Sequence, residues 1–148
     1  MNTNTKNNEK CIDVCNSLLR GEISAVETYN KVIEKYRGED EIPELIRIKR
    51  EHESSVSRLR ANVVEMGGTP SEDSGAWGSL TKAITSTANL FGEESAINVL
   101  RQGEEHGLND YEKALENEDV MPSCKDMIRD ELLPRVREHI GKLEVLGS

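Results

Sequence analysis

The sequence predicts an all-α chain folded as a four-helix bundle, built from two repeated helical hairpins joined by a long crossover with a short extra helix. Three observations carry that prediction. Apolar residues recur at spacings of three and four over long stretches, the mark of amphipathic helices. No run alternates with a period of two, so no strand competes for any segment. Hydrophobic residues make up 35% of the chain and aromatic ones 3%, against 32% charged. Such a ratio suits slender helices with one apolar stripe and a wide solvated face.

Each element follows in order. Residues 1–7 are polar and read as a disordered tail. Cys11, Cys15, Leu18, Glu22, Ala25, Tyr29, Val32 and Tyr36 then form one seam of roughly seven turns, closed by Arg37-Gly38. Asp40 is placed to cap the second helix, with Pro43 in its first turn. Its stripe is Leu45, Ile48, His52, Val56, Leu59, Val63 and Met66, and Gly67-Gly68 ends it. The stretch GGTPSEDSGAWG, residues 67–78, has linker composition, but no change of composition follows it. Residues 67–92 therefore read as a crossover inside one domain spanning 1–148. Within it Leu80, Ile84, Ala88 and Phe91 mark the short helix, and Trp77 is expected to plug the bundle end. A third long helix carries Ile97, Leu100, Glu104, Leu108, Tyr111 and Leu115. Pro122-Ser123 opens the fourth, with Ser123 as cap and the stripe Ile128, Leu132, Val136, His139, Leu143 and Leu146. Pro134 interrupts that stripe and should kink the helix just before His139.

The 28 acidic and 19 basic side chains leave a net charge of −9. That balance argues against nucleic acid and anionic lipid as partners, since both require a basic footprint. No apolar run approaches the roughly 18 residues of a membrane span. The opening MNTNTKNNEK lacks the apolar core of a signal peptide, and three cysteines make no disulfide framework. A cytoplasmic location is expected. Cys11 and Cys15, four apart on one face, have the spacing of soft-metal ligands but read as small core residues without a nearby companion. A Cys11–Cys124 disulfide is not expected in a reducing compartment. There is no phosphate loop, nucleophile elbow or Cys-x-x-Cys pair, and no residue is assigned a catalytic role.

The two hairpins repeat one another. Gly21-Glu22, Tyr29 and Lys31 on the first helix recur as Gly103-Glu104, Tyr111 and Lys113 on the third. Arg50-Glu51-His52 on the second recurs as Arg137-Glu138-His139 on the fourth. Such a repeat points to a duplicated hairpin with a pseudo-twofold. It also places Glu22, His52, Glu104 and His139 on the apolar stripes of four different helices. Counted from the turns, the two members of each hairpin sit at nearly the same height. Four ionisable groups should thus converge near mid-bundle. Buried carboxylates are costly unless paired or bound to a cation, and Glu oxygens and neutral His nitrogens are usual metal ligands.

The pattern Gly-Glu-x6-Tyr on helices one and three, with an inward His on helices two and four, resembles rubrerythrin and its ferritin-like relatives. The run from GGTP through GSL to GEEHGLNDYEKAL and REHIGKL is similar to a bacterial family of uncharacterised ferritin-like bundles, over residues 8–146. The resemblance implies a ferritin-like fold and ancestry in oxidative or metal stress. The sequence also departs from the di-iron pattern, which carries Glu-x-x-His on helices two and four. Lys49 stands three before His52, and Val136 three before His139. Glu51 and Glu138 do not substitute, since neighbours on a helix point about 100° apart.

Two carboxylates and two neutral imidazoles supply enough charge for one divalent ion, whether iron, manganese or zinc, and not for two. Tyr29 and Tyr111 are placed to donate hydrogen bonds to the carboxylates, or to serve as ordinary core residues. Two functional readings stand side by side. In the first, the protein is a ferritin-like bundle with a degenerate single-metal site. In the second, it is a non-catalytic bundle acting through its surface, as a homodimer, around a metal-free Glu–His–Lys cluster in which Lys49 pairs with Glu22 or Glu104.

Overall fold

The structure, a computed structural model, describes the backbone of residues 2–75 and 93–147 and the side chains of residues 8–75 and 95–147. Among the described residues there are four long helices and no strand. Helix α1 spans Asn2–Lys35, α2 Ile42–Glu65 and α3 Glu93–Glu116. The fourth, α4, runs in three consecutive pieces. It is α-helical over Pro122–Met127, π-helical over Ile128–Leu132 and α-helical again over Leu133–Leu146. Trp77 and the short helix expected at Leu80, Ile84, Ala88 and Phe91 lie outside the described residues.

Helix ends differ from expectation where the backbone satisfies itself. The segment read as a tail is helical from Asn2, because extending a helix costs far less than starting one. Asp40 does not cap α2. That position falls to Glu41, whose side chain makes no capping bond. The turn instead closes through its own backbone, with Ile42 N–H donating to Glu39 O and Leu45 N–H to Glu41 O. At α4 the residue before the helix is Met121, in extended conformation, and not Ser123. Pro122 takes the first helical position, for which its fixed φ is preset. The predicted stop of α2 does occur. Gly67, at φ +87°, reverses the chain, Gly68 N–H bonds Val63 O and Gly67 N–H bonds Val64 O, each at 2.9 Å. Those two bonds satisfy carbonyls that the helix end would otherwise leave open. Gly68 also seats Ile12 of α1, since a Cβ there would meet Ile12 Cγ2 at 2.7 Å.

The disturbance predicted at Pro134 takes the form of the π-turn. Proline has no N–H, and its ring collides with the carbonyl four residues back, here Asp130. A widened turn just upstream moves that carbonyl aside, and Leu133 N–H bonds Ile128 O five residues back.

Contacts fix how the helices run. Glu22 on α1 meets Tyr111 on α3, while Tyr29 on α1 meets Glu104 on α3. Ascending numbers on one helix meet descending numbers on the other, so α1 and α3 are antiparallel. The pairs Arg47–Glu138, Ser55–Arg135 and Arg58–Glu131 show the same for α2 and α4. The end of α2 therefore lies beside the start of α1, whereas Ala96 and Ile97 of α3 pack with Tyr29 and Val32 near the far end of α1. The chain leaving α2 sets off along α1. Asn16 Nδ2 donates to Thr69 O, Ser71 N–H donates to Asn16 Oδ1, and Arg20 donates to Ser71 Oγ.

The core has two apolar halves. One gathers Cys11, Cys15, Leu19, Leu59, Val63, Cys124, Ile128 and Leu132 among others. The other gathers Tyr29, Val32, Leu45, Ile48, Ile97, Leu100 and Leu143. Between them, in the order of every helix, comes one polar layer.

Candidate functional site

That layer is Glu22, His52, Glu104 and His139, one from each helix, with exposures of only 6%, 3%, 4% and 1%. Each sits on the apolar stripe of its helix, so folding that stripe inward carries the charge inward with it. The four inward positions named by the repeat are thus brought together. His52 is the hinge of the cluster: its Nδ1 lies 2.6 Å from Glu22 Oε2 and its Nε2 lies 2.6 Å from Glu104 Oε2. An ionised carboxylate only accepts, so both ring nitrogens donate and His52 is an imidazolium. Burial opposes that charge, but Glu104 and then Glu22 overcome it and hold its pKa well above the ordinary range. Burial likewise works against ionisation of Glu104. The charge of His52, with bonds from His139 and His52, prevails and lowers its pKa to about 2.

The tyrosines sit where the repeat predicts, and each serves the opposite helix. Tyr29 of α1 donates to Glu104 Oε2 at 2.5 Å, and Tyr111 of α3 donates to Glu22 Oε1 at 2.7 Å. This reciprocity is what a duplicated hairpin gives when α1 and α3 run antiparallel. Burial and the neighbouring carboxylate raise both phenols, Glu104 acting on Tyr29 and Glu22 on Tyr111, which keeps them protonated and donating.

His139 completes the layer and extends it outward. Its Nδ1 is 3.3 Å from Glu104 Oε1, and its Nε2 is 2.8 Å from Glu51 Oε1. Helical phase alone rules Glu51 out as an inward ligand. The phase is right, but 100° from the bundle axis is the seam between α2 and α4, where His139 arrives from the facing helix. Glu138 borders the same seam, and Glu51, Glu138 and His139 form a second group with ligand atoms within 4.8 Å. A cation already serves that seam. Arg47 bonds Glu51 at 2.8 Å and Glu138 at 3.0 Å, and also Glu44.

Lys49 is not the cluster's counter-charge. It is half-buried and, among the described residues, makes no ion pair with Glu22 or Glu104. The two carboxylates are already bridged by His52, and a lysine head is costly to desolvate.

A metal ion can be fitted against this geometry. Ligand atoms of His52, Glu104 and His139 all lie within 4.8 Å of one another, and all three residues are buried. Tetrahedral ligands at about 2.1 Å from an ion stand roughly 3.4 Å apart. The 3.3 Å between His139 and Glu104 already has that spacing. The two 2.6 Å contacts of His52 are hydrogen bonds, and the one from Nε2 to Glu104 would open on exchange of that nitrogen's proton for a metal ion. Glu22 stands beyond His52, bound to its other nitrogen.

A cavity of about 60 Å³ between α1 and α3 opens onto the layer, bordered by Gly21, Ala25, Gly103 and Gly107 and reaching Glu22, His52 and Glu104. A water needs only about 10–15 Å³ on this measure, so the cavity admits several. Gly103 and Gly107 face open space: a Cβ at either would meet nothing within 4 Å among the described atoms. Mid-helix glycine is less favourable than alanine by about 1 kcal/mol. Gly107→Ala should therefore raise the melting temperature by about 2–4 °C, measured by circular dichroism, while narrowing the cavity.

Fold and site together define an all-α helical protein with a buried histidine–carboxylate centre whose groups could hold a metal ion. The chain belongs to the family described as a domain of unknown function, DUF2383, whose model matches residues 10–117. The match takes in Glu22, His52 and Glu104 and stops before α4 and His139. Neither the curated proteins nor the solved structures contain a match to the chain.

Proposed function

We propose that the protein is a single-domain, ferritin-like four-helix bundle that binds one divalent metal ion, whether iron, manganese or zinc, in the layer of Glu22, His52, Glu104 and His139, with His52, Glu104 and His139 as ligands and Glu22 behind His52. The observation that carries this reading is the convergence of three buried ligand residues, each oriented by an outer partner. Glu51 accepts from His139 Nε2, Tyr29 and Tyr111 donate to the carboxylates, and Glu22 fixes the far nitrogen of His52. Histidine ligands characteristically give their other nitrogen to a carboxylate in this way. Antiparallel α1 and α3, and a chain that leaves α2 along α1, support the ferritin-like connection. In this reading the protein serves metal or oxidative stress in the cytoplasm. The absence of a basic footprint in a chain of charge −9 speaks against nucleic acid as its partner.

One observation favours a second reading, a non-catalytic bundle acting as a homodimer. The proton on His52 already satisfies both carboxylates, so the layer is complete as a structural device. Metal content separates the two. Purified protein should contain one equivalent of metal by inductively coupled plasma mass spectrometry. Ligand at about 100 times its dissociation constant stabilises by about 2.7 kcal/mol. Chelation should then lower the melting temperature by about 5–10 °C, and His139→Ala should remove that response. Protein that purifies without metal and melts identically with and without chelator overturns the metal reading and leaves the structural one.

A further inference from the structure

A second cluster lies at the other level of the core, apart from the histidine–carboxylate layer. Cys11 and Cys15 of α1 meet Cys124 of α4, all three fully buried and none in a disulfide. Their sulfurs all lie within 4.8 Å of one another, and Cys11 Sγ stands 3.5 Å from Cys124 Sγ. An ion with metal–sulfur bonds of about 2.3 Å needs sulfurs roughly 3.8–4.0 Å apart, which falls inside that range.

What surrounds the sulfurs separates this cluster from ordinary core packing. Every one of them receives an N–H. Met121 N–H donates to Cys11 Sγ at 3.4 Å, and Asn62 Nδ2 donates to Cys15 Sγ at 3.4 Å and Cys124 Sγ at 3.1 Å. A neutral thiol is a weak acceptor, so an amide committed to two sulfurs fits thiolates better. Methionine sulfur collects here as well. Met66 Sδ is 4.0 Å from Cys124 Sγ, and Met121 and Met127 belong to the same half of the core. Met66 and Met121, beside the cluster, are only half-buried.

We propose that Cys11, Cys15 and Cys124 form a binding site for copper(I), with Met66 beside it. Thiolate and thioether together select copper(I), whereas zinc takes thiolate, imidazole or carboxylate and has no use for the methionines. Binding exchanges thiol protons for the ion and releases them to solvent, with no electron transferred. The residual negative charge is met by the three N–H donors. This site shares no residue with the histidine–carboxylate layer and stands whether or not that layer holds a metal.

The test titrates the reduced full-length protein anaerobically with copper(I) against bicinchoninate as competitor. One equivalent is expected to bind, with a thiolate-to-copper absorption band in the ultraviolet. Asn62→Leu should weaken binding about 10–100-fold, as loss of an outer partner does, and Cys15→Ser or Cys124→Ser by more. His139→Gln should leave copper(I) affinity unchanged. X-ray absorption at the copper edge gives a readout that needs no variant, and a shell of sulfur alone is expected. Failure to hold copper(I) against the competitor overturns the proposal. So does a nitrogen or oxygen shell, an affinity indifferent to Cys15→Ser and Cys124→Ser, or tighter retention of zinc(II) by the same cysteines.

Discussion

Chelator-treated protein carrying His52→Leu should melt roughly 6–20 °C below the wild type. Among the described residues His52 is the one side chain that bonds both Glu22 and Glu104, through opposite nitrogens at 2.6 Å each. Leucine keeps the volume and helix propensity of the site but removes its positive charge. Two carboxylates then share a buried layer in which, among the described residues, tyrosine hydroxyls and His139 remain to answer them. Breaking a buried pair in this way costs about 3–5 kcal/mol, because the surviving charge is uncompensated. The deficit should be recoverable without restoring the imidazole. Adding Glu22→Gln and Glu104→Gln to His52→Leu removes the charges with almost no change of shape, and the triple variant should regain most of the lost stability. Thermal melts followed by circular dichroism decide it. A single variant within a degree or two of wild type would mean that the carboxylates are neutral in the fold, and that the imidazolium bridge is misassigned.

Tyr111→Ala should be comparably severe, at about 3–5 kcal/mol. The ring is buried in the apolar half that also holds Leu19 and Ile128, while its hydroxyl reaches into the polar layer at Glu22 Oε1. Alanine removes both. Tyr111→Phe keeps the packing and removes only the hydrogen bond to a charged group, worth about 1.5–3 kcal/mol. The difference between the two variants measures the ring. By the pseudo-twofold, Tyr29→Phe should cost about as much as Tyr111→Phe, since Tyr29 makes the reciprocal bond to Glu104. The double phenylalanine variant should fall short of the sum, because both bonds end in one network through His52. Equal losses for Tyr111→Phe and Tyr111→Ala would instead assign the whole effect to the hydroxyl.

The sequence by itself determined the helices, their inward stripes and the four ionisable positions on them. Those features are written in periodicities of three and four that need no partner to be read, and the repeat of Gly-Glu with a tyrosine seven residues on made the layer visible twice. What faces what was decided only by the tertiary structure. A helical wheel says that Glu51 points 100° from His52, but not that His139 arrives at that seam from a helix 88 residues further on. It puts Lys49 on the face of His52 without saying that the histidine itself bridges both carboxylates. It puts Tyr29 near Glu22, whereas antiparallel packing sends it to Glu104. It leaves Cys11 and Cys15 without a companion, because Cys124 is 113 residues from Cys11 and reaches it only when α4 packs beside the start of α1. Even the π-turn before Pro134 follows this division: the proline announces a disturbed helix, and packing selects its form. Periodicity is a property of one helix, whereas pairing depends on the direction and rotation of two, and those are set when all four stripes are buried together.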